Sequence, residues 1–485
     1  MSRAAPSPVR PRPLPTGLSA GRRRLLAQGR LIALLLLLAG QAQAFDQGGF
    51  SFFFNNEFTY QYNDLAEDNH QYYDSFSFFG KYGQWSGGLT LRGLNYYPQN
   101  PNTTLEKSEW DLYRKFIQYS TDTLTVQAGD FYAMLGRGLT LSVLQDEATL
   151  RERTIGGGEI RYNLEKIRLR ALGGSVSDEQ QLQKWWVGGG ECIVEYFRKN
   201  RLGGHVSFIK DDQTFLNLSN RWTWSVSAAG DNLWRHLNYY AEYGRLDREG
   251  HDWPDGTAFY ASLSFSHSHI SWLAEYKDYD HFDNQLNNPP PADYGEEINV
   301  LEDSAGGRLL FQYSFFDPDV IVFASAGRYR EFTDTGNHYS WGVTAEDLAE
   351  KVSASFSCGV RDLYYPVWKT NASLLYRLTE RLSAQVTFKD KRYQVAAFKF
   401  NEQDWVFQIG RSALGSGYFQ YQHSEQPINE RRHFYSGGIR LELWQGSYVE
   451  AAGGTMRGGE ICSNGQCFFM PPFEGFKLTL CTIFR

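Results

Sequence analysis

Residues 382–389 alternate apolar and polar side chains without a break. Leu382, Ala384, Val386 and Phe388 fall on one side, and Ser383, Gln385, Thr387 and Lys389 on the other. Successive side chains of a β-strand point to opposite faces, so this segment is predicted to be a strand with one apolar and one wet face. Val352, Ala354, Phe356, Cys358 and Val360 repeat the pattern against Ser353, Ser355 and Ser357. Phe259, Ala261, Leu263 and Phe265 repeat it again, as do Leu309, Phe311, Tyr313 and Phe315. A chain built of such segments has many apolar faces to bury at once, against a protein core or against lipid.

The spacing of the strands favours lipid. Short links at 81–84, 120–123, 198–201, 230–232, 316–319, 379–381 and 444–446 carry turn-forming residues. Longer polar stretches lie between them, at 63–70, 98–110, 132–154, 176–187, 211–220, 246–257, 278–303, 390–402, 424–432 and 456–473. Short turns at one rim and long loops at the other are the pattern of an outer-membrane barrel. Open sheet edges do not face hydrocarbon, so the strands are expected to close on themselves. The count is about 24, with 22 as the alternative. It runs from a first strand near 49–62 to a last near 474–484, and 337–344 with 351–361 is the least distinct pair. The fold class is therefore all-β, a transmembrane antiparallel barrel of even strand number.

Composition agrees. Aromatic residues make up 16% of the chain while mean hydropathy is −0.48, which suits a polar lumen, a thin apolar band and aromatic girdles. Residues 1–44 hold seven arginines and no acid, then an apolar run from Leu31 to Ala39 and a small-x-small site at 42–44. This reads as a cleaved export signal, too short to span a bilayer, which takes about 20 residues. Residues 45–485 are then one barrel domain. Taking seven arginines from 48 Lys+Arg leaves 41 against 55 Asp+Glu, a net charge of −14. An acidic exported chain argues against a nucleic-acid partner.

The final strand places Phe476, Leu478, Leu480 and Phe484 on one face. It resembles the C-terminal signal of outer-membrane proteins, in which an alternating strand ends in an aromatic residue. That resemblance implies the barrel-assembly machinery as a partner alongside outer-membrane lipid. The extra Arg485 departs from the pattern. Residues 130–141 (Asp-Phe-Tyr-Ala-Met-Leu-Gly-Arg-Gly-Leu-Thr-Leu), 153–158 (Arg-Thr-Ile-Gly-Gly-Gly) and the closing 462–475 resemble a family of uncharacterised porin-like barrels of Gram-negative bacteria, described as a domain of unknown function. The resemblance implies fold and location and names no substrate.

Cys462 and Cys467 lie in a Gly-rich loop of an exported chain, where a disulfide is the default. Cys192 and Cys358 share the parity of apolar neighbours, and Cys481 has lumen parity. His267 and His269 flank Ser268 at a turn, an arrangement open to metal work or to plain solvation. The sequence holds no GxSxG elbow, HExxH or phosphate loop. The expectation is a barrel that is not an enzyme and takes no cofactor or metal.

The segment 132–154 is partly apolar, through Met134, Leu135, Leu139, Leu141, Val143, Leu144 and Leu150. Folding into the lumen would bury these residues, whereas strand extensions with an exposed tip are the alternative. A constriction is expected from Arg137, Asp146, Glu147, Arg151 and Arg153, with lumen-parity charges Arg168, Arg170, Glu191, Glu195, Arg440 and Glu442. The predicted function is a porin-like channel for passive diffusion of small hydrophilic solutes or ions. The alternative is a structural or interaction barrel, an adhesin or anchor plugged by its own loops.

Overall fold

The computed structural model describes residues 49–65, 70–94, 109–146, 151–177, 184–197, 199–211, 220–233, 235–249, 254–290, 303–316, 319–348, 350–395, 398–426, 431–444, 446–463, 466–470 and 472–484. The export signal expected at 1–44 and Arg485 lie outside them. Twenty-four strands pair antiparallel, each with its neighbour in sequence, apart from short hairpins inside two long links. The first strand, Phe50–Asn63, pairs with the last, Phe473–Phe484, with Phe54 opposite Phe484 and Tyr62 opposite Phe476. That pairing closes the sheet, so every barrel strand has two hydrogen-bonded neighbours and no edge remains.

Alternation divides the wall into an outer and an inner face. Val226, Leu309, Ile409 and Ile439 are each more than half exposed on the outer face. Their sequence neighbours Ser225, Arg308, Gln408 and Arg440 take the inner one. An apolar exterior of this extent far exceeds the few hundred Å² that a water-soluble monomer exposes, and so calls for a lipid surround. No helix among the described residues is long and apolar enough to cross a membrane.

The rims differ as expected. At the rim carrying the two ends of the barrel, links span two to five residues, from 83–84 to 443–447. The long links, including 95–108, 132–154, 281–303 and 457–472, all lie at the other rim. Two expectations need correcting. Residues 390–402 form no long loop: strands Leu382–Val395 and Phe398–Arg411 continue in register to a link at 396–397. Asp390 stands opposite Gln403, Lys391 opposite Glu402 and Arg392 opposite Asn401, while the Tyr393 and Phe400 rings stack at 4.6 Å. Polar cross-strand pairs keep these strands together up to the long-loop rim. The link expected at 230–232 is displaced to 234–236, because strand Arg221–Leu233 shifts register between Gly230 and Leu233 and runs on.

The face assignment has a direct test. Val386 lies opposite Leu374 and Phe407, both exposed on the outer face. Thr387 lies opposite Ser373 on the inner face. Val386→Arg should cost about 2–4 kcal/mol near the bilayer midplane, and Thr387→Arg far less. The measurement is the fraction of heat-resistant barrel on unboiled gels. Equal loss for the two variants would refute the assignment.

Candidate functional site

Residues 132–146 turn into the barrel. Ala133–Leu135 pairs with Leu141–Val143, and the Gly138 N–H closes the intervening turn on the Leu135 carbonyl at 3.2 Å. Leu135, Leu139, Leu141 and Val143 are completely buried. They leave water by packing on wall residues that point inward. Phe131, Ala133, Leu135, Leu141 and Val143 share one core with Ile155, Leu172, Val176, Trp185, Val187 and Ile209. Leu139 joins a second, with Leu246, Ala258, Tyr260, Tyr279 and Phe282.

A second segment, 281–290, lies on the first. The Ser142 N–H donates to the Leu286 carbonyl at 2.6 Å, and the Asn288 N–H to the Gly138 carbonyl at 3.0 Å. Fully buried Asn284 donates from Nδ2 to the Thr140 carbonyl (3.0 Å) and to Thr223 Oγ1 (2.9 Å). Asn287 Nδ2 donates to the Phe282 carbonyl at 2.6 Å. Two side-chain amides thus supply partners that buried loop backbone would otherwise lack. The sequence reading had 278–303 as a polar loop and did not place it in the lumen.

Wall carboxylates hold the tip of the first hairpin. Glu242 accepts the Arg137 N–H at 3.0 Å, the Ser225 hydroxyl at 2.6 Å and the Tyr240 hydroxyl. Ser225 also contacts the Thr140 hydroxyl at 2.8 Å. Glu191 accepts the Gly136 N–H and lies 3.0 Å from His205 Nδ1. Gly136 has φ +62, and a Cβ there would strike the Glu242 carboxylate. Position 136 therefore needs glycine on both counts. On the other side of the hairpin, Arg170 donates to the carbonyls of Met134 (3.0 Å) and Tyr132 (3.4 Å) and pairs with Glu159.

The residues singled out from the sequence thus separate. Arg170 and Glu191 are wall residues that grip the hairpin. Arg137 is exposed, its guanidinium carbon 4.2 Å from the Tyr240 ring centroid and its Nη1 3.4 Å from Ser262 Oγ. Arg153 braces the second segment, donating to the Gln285 carbonyl at 3.3 Å over the Trp185 ring. Asp146 and Arg151 stand opposite in register, but their side chains, and all of Glu147, lie outside the described residues. Arg168 and Glu195 face inward near the rim of short links, Glu195 opposite Arg201. Arg440 and Glu442 pair at 2.8 Å on strand His433–Glu442, with Arg440 over the Tyr448 ring. That strand lies outside both loop cores.

Missing from the sequence reading were Trp185, Val187, Ile209, Leu246, Tyr260 and Tyr279. The signal was present in strand Lys184–Phe197, where Trp185, Trp186 and Val187 are apolar on both faces, so something other than water covers the inner one.

The remaining expectations fall as follows. Cys462 lies opposite Cys467 in a small hairpin, Gly459–Ser463 with Gln466–Met470, and their side chains lie outside the described residues. Cys192 is exposed on the outer face, and Cys481 is buried, its Sγ 3.5 Å from Asn55 Oδ1. Phe476 and Leu478 face outward, and Phe484 packs on Phe54 with ring centroids 5.8 Å apart. His267 Nδ1 lies 3.1 Å from His236 Nε2, whereas His269 Nδ1 meets the Ser314 carbonyl at 2.7 Å. Among the described residues no three His, Cys, Asp or Glu gather to hold a metal.

If Glu242 anchors the hairpin, Glu242→Ala strands the Arg137 N–H and two hydroxyls, at a cost of about 1–3 kcal/mol. Amide exchange at 136, 137 and 142 should then accelerate roughly ten- to a hundredfold, since about 1.4 kcal/mol is a factor of ten, and strands away from the hairpin should be unaffected. Unchanged exchange at those amides would remove Glu242 from this role.

Among solved structures, the chain is similar to the P pilus usher (PapC) translocation pore, at 10% identity and TM-score 0.48, covering 90% of this chain and 99% of that one. It is similar to the copper transporter OprC at 8% identity and TM-score 0.45, covering 90% and 80%. Against OccK5 (OpdH) of Pseudomonas aeruginosa the values are 8% and 0.38, covering 77% and 98%. Likenesses this distant carry no inference about function. Comparison with curated proteins gives no match. The sequence pattern of the family of unknown function DUF6029 matches residues 26–301, more than half of the chain, and the protein belongs to that family.

Proposed function

We propose that the chain is exported, inserted into a Gram-negative outer membrane by the barrel-assembly machinery, and serves there as a porin-like channel for passive diffusion of hydrophilic solutes or ions. The observation that carries this reading is that, among the described residues, the lumen is filled from one side. A barrel of 24 strands encloses more space than wall side chains can fill. The described parts of the two inward segments build their cores on the wall between strands Leu124–Phe131 and Ile270–Asp280. The wall across from them, strands Val367–Thr379 to Phe398–Arg411, turns Asn371, Lys389 and Gln408 inward, all exposed. A polar wall facing a packed hairpin is what a narrowed aqueous passage requires. Arg137 and, with it, Arg151 are the cations assigned to that passage; catalysis plays no part in this reading.

The extent to which the two segments interlock favours one other reading, a barrel they plug, serving as adhesin or anchor. Planar-bilayer recording decides. The channel reading expects single-channel steps, a larger conductance when 133–143 is replaced by a short Gly/Ser link, and a shift toward cations in Arg137→Ala. No conductance from the intact barrel, with conductance appearing only after the replacement, would establish the plug instead.

The disulfide belongs to the same picture of an exported chain. Two residues, 464–465, separate the hairpin strands, so 463 and 466 form the hydrogen-bonded pair and 462 and 467 the closer, non-bonded one. Cα atoms in such a pair lie about 4.5 Å apart, within the roughly 4.4–6.8 Å that a disulfide spans. Mass spectrometry of the unreduced peptide should show the loss of two hydrogens. Two alkylatable thiols in protein taken from outer membranes would rule the bond out.

A further inference from the structure

The outer face of the wall changes character near the long-loop rim, where strand Val367–Thr379 begins and strand Leu382–Val395 ends. Two neighbouring rows cross five strands there, from Asp334–Leu348 to Phe398–Arg411. In the upper row Tyr339 is opposite Val360, Val360 opposite Trp368, Trp368 opposite Arg392, and Arg392 opposite Asn401. The lower row runs Trp341, Cys358, Thr370, Asp390 and Gln403 in the same way. Both rows begin on exposed aromatic rings and end on charged or amide side chains. The rows line an outward-opening cleft of about 840 Å³ that Gln394, Lys399 and Glu425 also border.

The polar end is organised. Buried Asp390 accepts Arg392 Nε at 2.8 Å and Gln403 Nε2 at 3.2 Å, which orients a guanidinium whose side chain remains two-thirds exposed. Asn401 Oδ1 is shielded from solvent without a hydrogen-bond donor. Trp341 and Trp368 are exposed. An acyl chain alone would satisfy the aromatic end and leave the Asp390–Arg392–Asn401 end against hydrocarbon, which is costly for polar groups. Water alone would leave the two indoles bare. A ligand that meets both ends has a flat C–H face for the rings and hydroxyls or an anionic group for Arg392 and Asn401, and it is held at the level of the membrane interface. A sugar carried on a lipid has those properties.

We propose that this cleft binds the saccharide headgroup of an outer-leaflet glycolipid, its ring face on Trp368 and its polar groups on Arg392 and Asn401. The proposal rests on the outer-membrane location given above, and it is independent of whether the lumen conducts.

Lipid A, an acylated glucosamine disaccharide, is the probe, offered to the mature barrel in detergent and read by native mass spectrometry. The intact barrel should keep one molecule, and should keep it in preference to phosphatidylglycerol of matched acyl length. Trp368→Ala and Arg392→Ala should each cut the occupied fraction at least fivefold. Trp222→Ala, at an exposed outer indole on strand Arg221–Leu233, should not change it. Should Trp368→Ala not fold, Asn401→Ala and Trp368→Phe take its place, with reductions of at least twofold expected. Equal retention of the two lipids, or equal losses in Trp222→Ala and Trp368→Ala, would mean ordinary boundary lipid and overturn the proposal. A barrel that conducts without keeping lipid A fails here alone, and one that keeps lipid A without conducting fails only as a channel.

Discussion

In hydrocarbon an unpaired backbone amide has no water to turn to, and each one costs several kcal/mol. This single constraint explains why strand Phe50–Asn63 meets strand Phe473–Phe484 more than 400 residues away. Until that seam forms, two rows of donors and acceptors face lipid. The outer apolar side chains stabilise the barrel only once the sheet has closed, because alternation aims them at lipid only in the paired register. Phe484 on Phe54 sits at that seam, which gives the aromatic terminus a structural task in addition to its resemblance to an assembly signal.

The same constraint rules the lumen in a weaker form. Links at the long-loop rim would satisfy their backbone groups with water, yet 132–146 and 281–290 fold inward and meet each other's carbonyls and amides. What draws them in is apolar area, since Leu135, Leu139, Leu141, Val143, Phe282 and Leu286 all reach near-complete burial. What makes the burial tolerable is a set of partners for the polar atoms carried along, chiefly Asn284, Asn287, Glu191, Glu242 and Arg170. Three of the charges singled out from the sequence, Arg153, Arg170 and Glu191, are thus fasteners, while Arg137 stays exposed at the tip of the hairpin.

Most of the wall was legible in the sequence because lipid outside and water inside impose opposite chemistry on alternate residues, as at Val386 and Thr387. Legibility failed where that contrast fades. Near the long-loop rim, residues 390–395 and 398–402 carry polar side chains on both faces, so the strands there looked like a loop. At Trp185 and Val187, and at Ala258 and Tyr260, the inner face is apolar because the inward segments cover it, and period-two reasoning has no term for a second layer. The hairpin itself showed in the leucines of 132–154. Its partner did not, because residues 281–290 are mostly polar and hold their place through two asparagine amides.

Asn284 binds Thr140, 144 residues earlier, and Thr223, 61 residues earlier. The hairpin Ala133–Val143 can rest on its wall residues, but it is covered only when residues 281–290 have taken their place. Contacts at such separation form slowly. Residues 281–290 are thus expected to settle after the hairpin Ala133–Val143 and the neighbouring wall strands beneath it, whose pairings are local. For that interval the inside of the barrel is wider than in the finished fold, and its length depends on how quickly two asparagines find their carbonyls.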